Sequence, residues 1–149
     1  MIWIVGNKGM LGTELELRLS ELGMESFGTD RDCDIADPAA LEAAAAGKRV
    51  DWIVNCSAYT AVDRAEEEEE LARRVNAAGV GALARLAARL GAPLVHVSTD
   101  YVFDGAGTRP YREEDPIGPA CAYGRTKAEG EALLRAAWDC HFIVRTAWL

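Results

Sequence analysis

The stretch Ile2-Trp3-Ile4-Val5, followed at once by Gly6-Asn7-Lys8-Gly9-Met10-Leu11-Gly12, limits what this chain can become more than any other. Four apolar residues in a row read as a short buried strand. Leu11, Leu15, Leu19 and Leu22 then recur at helical spacing, so the glycines occupy a strand-to-helix turn. Glycine lets such a turn be tight and lets the backbone approach a bound group. The helix N-terminus behind it offers free N–H groups and the positive end of a dipole. G-x-x-G-x-x-G alone is common at turns. With a strand before it and a helix after it, the motif points to a pyrophosphate cradle.

The same alternation continues. Met24 to Thr29 reads as a second strand, ending at Asp30-Arg31. Asp37 and Pro38 suit the cap and first turn of an Ala-rich helix running to about Gly47. Asp51 to Asn55 is a buried-type strand, and a long helix is expected from about Glu67 to Leu90. Gly79 and Gly81 inside it each cost roughly 1 kcal/mol relative to Ala, which close packing against the sheet would explain. Gly91-Ala92-Pro93 stops that helix. Leu94 to Val97 and Phe142 to Val144 are further strands, separated by a Gly/Pro-rich stretch from Asp104 to Pro119 of the kind that forms lids or binding loops. Strands alternating with helices imply an α/β fold, a Rossmann-type doubly wound parallel sheet covered on both faces. With no internal repeat or linker, residues 1–149 read as one NAD(P)-binding domain.

Composition excludes several classes. No apolar run approaches the ~20 residues of a membrane span, and Met1 to Val5 lacks a basic leader. The net charge of -8 argues against non-specific nucleic-acid binding while leaving room for an anionic small ligand at a locally positive site. Cys33, Cys56, Cys121 and Cys140 form no CxxC pair and no metal-like spacing with His96 or His141, so they read as free thiols of a reducing cytoplasm, and no metal site is expected. The acidic run Glu66 to Glu70 reads as a solvated helix start that suits the dipole.

In doubly wound sheets ligands sit beyond the carboxyl ends of the strands. Gly6 to Gly12, Asn55 to Thr60 and Ser98 to Asp100 all fall just past strand ends, on one edge of one sheet. Asp30 lies at the offset, roughly 20 residues past the glycines, where a carboxylate meets ribose hydroxyls. That favours NADH. Arg31 or Lys8 would instead welcome a 2'-phosphate and NADPH, so the cofactor choice stays open. Asp34-Ile35 could frame the adenine with a carboxylate and an apolar side chain. Tyr123 and Lys127 sit four residues apart and share a helix face. A lysine there would stabilise phenolate and lower the tyrosine pKa, making a general acid for a carbonyl being reduced. Tyr-x-x-x-Lys also occurs as surface decoration; the glycine turn and Ser98-Thr99 lift it above that.

Together, Gly6-x-x-Gly9-x-x-Gly12, Tyr123-x-x-x-Lys127 and a strand-end hydroxyl resemble the extended short-chain dehydrogenase/reductases. Val54 to Glu66, Ser98 to Gly105, Tyr123 to Lys127 and Arg145-Thr146-Ala147-Trp148 narrow the resemblance to the dTDP-4-dehydrorhamnose reductase family of nucleotide-sugar ketoreductases, over essentially the whole chain. The resemblance implies a catalytic set of Thr99 on the C4 carbonyl, Tyr123 as proton donor and Lys127 as its tuner, touching the nicotinamide ribose. Asp100 and Trp148 would border the dTDP-sugar. Gly9, Met10 and Leu11 would line the pyrophosphate turn, Asp30 would meet the ribose, and Asp34 and Ile35 the adenine. Ala58, Tyr59 and Thr60 would pass beside the cofactor.

Two departures from the family stand out. Cys56-Ser57 replaces a usual pair of alanines, both small. Family members are also longer, with a later half that supplies most of the sugar-nucleotide pocket. The chain therefore reads as an N-terminal portion truncated before a C-terminal substrate domain, with apolar surface near Trp148 favouring self-association, for instance a homodimer. Two rival readings remain: an NAD(P)-binding regulatory or inactive module on the same scaffold, and a nucleotide-sugar epimerase or dehydratase. A dehydratase would want an acidic pair beside the tyrosine, and Thr99-Asp100 brings one carboxylate.

Overall fold

In the computed structural model, which describes residues 1–148, five parallel strands form one sheet. β1 is Ile2–Val5, β2 Ser26–Thr29, β3 Trp52–Asn55, β4 Leu94–Thr99 and β5 His141–Thr146. Their order is β2-β1-β3-β4-β5. The chain steps from β1 to β2, returns past β1 to β3, and then moves outward to β5. The direction reverses between β1 and β3, which makes a crevice at their carboxyl ends. Val5 is in register with both Thr29 and Asn55, so those ends are level.

Strand alternation sorts the side chains. Trp3, Ile53 and Leu94 lie in one row across β1, β3 and β4 and are fully buried. They pack with Leu41 of α2 (Pro38–Ala45), Leu83 of α4 (Val80–Leu90) and Leu134 of α5 (Ala122–Ala137) to form the main core. Asp37 caps α2 as expected, its carboxylate accepting from the Ala39 N–H at 2.9 Å, with Pro38 in the first turn. Ile4 is buried on the other face, the side from which α1 (Met10–Glu21) contacts β1 and β2. Toward β5 that face is open: Phe142 is 54% and Val144 48% exposed, and Trp52 stacks on Phe142 with centroids 6.0 Å apart. The apolar exposure expected near Trp148 is present there.

The long helix expected from about Glu67 to Leu90 runs without a gap from Glu69 to Leu90, but its winding changes along the way. A 3-10 turn at Arg64–Glu66 precedes α3 (Glu69–Arg73), a π-helical segment spans Arg74–Gly79, and α4 follows. A π turn carries an extra residue and often marks a functional position. Here it turns Asn76 inward, where its side chain makes hydrogen bonds to the loop after β3 and to α5. Gly130 of α5 accommodates the bulge, since a Cβ there would lie 2.0 Å from the Asn76 carbonyl oxygen. Gly79 and Gly81 do not pack against the sheet. A Cβ on Gly79 would meet the Ile35 side chain at 2.7 Å, and one on Gly81 would meet Leu133 of α5 at 3.3 Å. They make room for the loop after β2 and for the neighbouring helix.

The long loop after β4 is pinned to itself. Phe103 and Tyr111 stack 4.2 Å apart, the Tyr111 hydroxyl donates to Asp104 at 2.7 Å, and Arg109 grips both oxygens of Asp115. It leads into α5, whose first turn borders the crevice.

Candidate active site

The glycine turn is shaped by contacts that no side chain could survive. Gly6 has φ +85°, and a Cβ on it would lie 2.8 Å from the Ser57 backbone. A Cβ on Gly12 would lie 2.2 Å from the Gly6 carbonyl oxygen. Gly9 is different: an added Cβ meets only ordinary contact there. Gly9 is the N-cap of α1, with no side-chain cap and no acidic residue in the first turn, so the positive helix end is left unneutralised. Met10 and Leu11 supply backbone to that first turn; Met10 is exposed and Leu11 half-buried. Beside the turn, Asn7 Oδ1 is the one buried side-chain oxygen or nitrogen without a partner among the described residues.

Asp30 stands at the end of β2, within reach of the turn. Its carboxylate accepts from the Lys8 N–H at 3.2 Å and the Arg31 N–H at 2.8 Å, tying strand end to glycine loop. The Arg31 side chain is exposed beside it. Asp34 and Ile35 follow β2 with side chains held by other elements. The Ile35 side chain belongs to the main core and Asp34 is ion-paired with Arg74 of the π segment. Ile35 is drawn inward because Gly79 opens a socket for it.

Past β3, the segment from Ala58 to Thr60 is held by Asn76. Its Oδ1 accepts from the Tyr59 N–H at 2.8 Å and its Nδ2 donates to the Tyr59 carbonyl at 3.1 Å and to Thr126 at 3.2 Å. This two-way grip fixes backbone orientation beside the crevice. The Tyr59 hydroxyl donates to Glu68, which raises the Tyr59 pKa and ties the ring to the start of α3. Nothing in the helical pattern announced Asn76, apart from a polar residue within an apolar stretch.

At the end of β4, Thr99 is 6% exposed, donates to Asp100 at 3.2 Å and accepts from the Tyr101 N–H at 3.2 Å. Tyr123, in the first turn of α5, lies half-buried against Ala65, Ala72 and Ala122, with Tyr101 edge-on at 5.7 Å. Burial pushes its phenol pKa up; the Thr99 hydroxyl pulls it back, and the Asp100 carboxylate adds to the rise. The expected lowering by Lys127 does not occur. Lys127 is 1% exposed and directs its amine inward, donating to the Val97 carbonyl at 2.7 Å and facing His96 Nε2 at 3.5 Å. Burial lowers its own pKa to about 8, against the pull of Glu131. Tyr123 therefore stays a protonated phenol across the neutral range, which suits a proton donor.

Beneath these residues lies an ionic brace that sequence reasoning passed over. Arg145 of β5 donates to both oxygens of Glu131 on α5, at 2.9 and 2.6 Å, and Ser98 of β4 donates to the same carboxylate at 2.6 Å. Glu131 follows Lys127 by four residues, a spacing that could have flagged it. Trp148 is not drawn in: it stands fully exposed two residues beyond β5. Two surface hollows lie elsewhere, one of about 310 Å³ along Leu71, Ala78 and Leu133, the other of about 460 Å³ within the loop around Arg109. Neither touches the glycine turn or Tyr123, and the chemistry-bearing groups converge at the strand ends instead. No helix among the described residues is long and apolar enough to cross a membrane.

A family model described as "RmlD substrate binding domain" matches residues 1–149. Among curated relatives, a dTDP-4-dehydrorhamnose reductase of Streptomyces griseus is 49% identical over 150 residues, 99% of this chain and 49% of that protein. Among solved structures, a dTDP-4-dehydrorhamnose reductase of Clostridium acetobutylicum superposes with TM-score 0.94 at 42% identity, covering 99% of this chain and 53% of that one. A Bacillus anthracis dTDP-4-dehydrorhamnose reductase in complex with NADP also gives TM-score 0.94, at 35% identity and the same coverage. The chain spans about half the length of the curated relatives it matches.

Proposed function

Since this chain belongs to the RmlD substrate binding domain family, we propose that it supplies the cofactor cradle and acid–base centre of an NAD(P)H-dependent reductase. The reaction is reduction of the 4-keto group of dTDP-4-dehydrorhamnose to dTDP-L-rhamnose. The observation that carries this reading is convergence: the glycine turn, the Ala58–Thr60 segment and Thr99 with Tyr123 border one sheet edge, beside the reversal between β1 and β3.

A dinucleotide suits the residues present. Gly6 and Gly12 keep Cβ atoms out of the turn, α1 begins without an acidic residue, and Asn7 Oδ1 lies beside it without a partner. Backbone N–H groups from Met10 to Gly12 would hold the pyrophosphate, and Asp30 with Arg31 would flank the adenosine ribose. When bound, the nicotinamide supplies the hydride that C4 receives. Tyr123 gives its phenol proton to the ketone oxygen as negative charge develops there, and solvent later returns a proton to the phenolate. The Thr99 hydroxyl, able to turn from Asp100 to the carbonyl, polarises it. Lys127, one turn on from Tyr123, anchors α5 beneath the phenol through its bond to the Val97 carbonyl. Asp100, exposed beside Thr99, borders the sugar.

The test is oxidation of NADPH and of NADH with dTDP-4-dehydrorhamnose, using the full-length protein. Positioned acid catalysis is worth about 10²- to 10⁴-fold, so Tyr123→Phe should lower turnover by at least ~100-fold and leave cofactor affinity unchanged. Cofactor binding without oxidation would leave a binding module and refute the reductase reading. Turnover of Tyr123→Phe within a few fold of the parent would refute the role of the phenol.

A further inference from the structure

Lys127 meets a partner the proposed chemistry does not use. His96 is fully buried in the middle of β4, with its two ring nitrogens in contact with named groups. Nδ1 lies 3.1 Å from Asn55 Nδ2, and Nε2 lies 3.5 Å from Lys127 Nζ, at the outer limit of hydrogen bonding. Which nitrogen carries the proton follows from Asn55. The Asn55 Oδ1 accepts from the Ser57 N–H at 3.0 Å and from the Ser57 hydroxyl at 2.7 Å. A backbone N–H can only donate, so that end of the amide is the oxygen and the end facing His96 is the NH₂ group. An NH₂ group donates, so Nδ1 must accept.

A neutral imidazole that accepts at Nδ1 carries its proton at Nε2. Burial, together with the charge of Lys127, keeps His96 neutral, its pKa well below the ordinary value. The Nε2–H then points at Lys127. An ammonium has three donors and no acceptor, so it meets this N–H donor to donor. A neutral amine has a lone pair for it, and still has an N–H for the Val97 carbonyl.

We propose that His96 is a positioning residue for Lys127: held by Asn55 as its Nε2–H tautomer, it offers the lysine nitrogen a proton instead of a lone pair and favours the uncharged amine. The inference rests on the reading of Lys127 as part of the reductase centre, and it adds a residue that sets the lysine's charge from one layer deeper.

The surroundings of Lys127 oppose one another. Glu131, four residues on in α5, pulls toward the ammonium. Burial works against the Glu131 carboxylate, yet hydrogen bonds from Arg145 of β5 and Ser98 of β4 hold its pKa down, so it is charged. Tyr123, four residues back, is a neutral phenol. Asn55 of β3 and Asn76 of the π segment carry no charge. His96 is thus the one group of β4 that faces the amine with a polar hydrogen, and it counters Glu131.

The experiment is heteronuclear NMR on the full-length protein with ¹⁵N-labelled His and Lys, which needs no turnover. In the parent, His96 should show a protonated Nε2 and an unprotonated Nδ1 throughout the neutral range. An Nδ1–H tautomer, or a His96 that gains a second proton near neutrality, would overturn the proposal. Asn55→Asp is close to isosteric and keeps both bonds from Ser57. Its carboxylate accepts from Nδ1–H, so the tautomer should invert, Nε2 should turn its lone pair on the lysine, and the Lys127 titration should move up by about tenfold in proton affinity. An unmoved lysine, or one that moves while the tautomer stays Nε2–H, would overturn it. If Asn55→Asp does not fold, the tautomer of the parent decides. A protein without reductase activity but with the Nε2–H tautomer would refute the function above and leave this inference standing.

Discussion

Replacing Lys127 with methionine should remove one specific burden from the fold and reveal it through pH. The amine is 1% exposed and its pKa falls from the ordinary 10.5 to about 8 because burial penalises the ammonium. At about 1.4 kcal/mol per pKa unit, that fall corresponds to about 3 kcal/mol. A base whose folded pKa is depressed binds fewer protons in the folded chain than in the unfolded one between the two values, so folding stability rises with pH across that window. The penalty is fully present below about pH 8 and gone above about pH 10.5. A methionine at this position would fill most of the space of the stem without titrating. It would also leave the Val97 carbonyl without its 2.7 Å donor, a loss of about 1 kcal/mol. The net expectation is a Lys127→Met protein about 2 kcal/mol more stable than the parent near neutral pH and inactive as a reductase. Subtracting the variant's unfolding free energy from the parent's, by urea titration at a series of pH values, cancels the cysteines and tyrosines that titrate in the same range. The difference should climb by about 3 kcal/mol from neutral pH to the top of the window. A flat difference would mean that the buried lysine carries no desolvation penalty, and the account of its charge would fail.

Other perturbations test other parts. Glu131→Ala strands Arg145, whose side chain is only 15% exposed, as a poorly solvated charge; breaking such a pair costs about 3–5 kcal/mol, measurable as a lower urea midpoint with unchanged m-value. Gly12→Ala drives a Cβ to 2.2 Å from the Gly6 carbonyl and should abolish NADPH binding in a fluorescence titration, whereas Gly9→Ala meets only ordinary contact and should bind within a few fold of the parent. Equal losses from the two would mean that the turn is not read sterically.

Much of the architecture was legible because each element carries its own periodicity and punctuation. Ile2 to Val5, Trp52 to Asn55 and Leu94 onward are short apolar runs between glycines, prolines and amphipathic helices, and each became a strand. Asp37-Pro38 and Gly91 marked helix ends through local backbone chemistry, and Gly91 is left-handed as a C-cap should be. Spacing failed where the answer depended on a partner distant in sequence. The i, i+4 rule puts Tyr123 and Lys127 on one face of α5 but is silent on which way a long flexible stem turns, and Lys127 turned under β4 toward Val97 and His96. Ile35 read as an apolar side chain beside the adenine; its side chain lies in the core because Gly79, far along the chain, leaves a socket. A π turn is invisible to a 3.6-residue template, so the purpose of Asn76 and the glycines after it emerged only with the loop they hold.

The departure at Cys56-Ser57 acquires a purpose in this light. Where the resembled family carries two alanines, Cys56 and Ser57 are likewise small. Ser57 does more. Its backbone is the surface against which Gly6 closes, 2.8 Å from where a Cβ would be, and its N–H and hydroxyl together hold Asn55 Oδ1. Asn55 in turn donates to His96, and His96 faces Lys127. The glycine turn and Lys127 are therefore joined by one unbroken run of contacts across β1, β3, β4 and α5. An alanine in place of Ser57 would keep the backbone N–H that sets the Asn55 amide and lose only the hydroxyl's support. The serine thus strengthens an orientation the backbone already dictates.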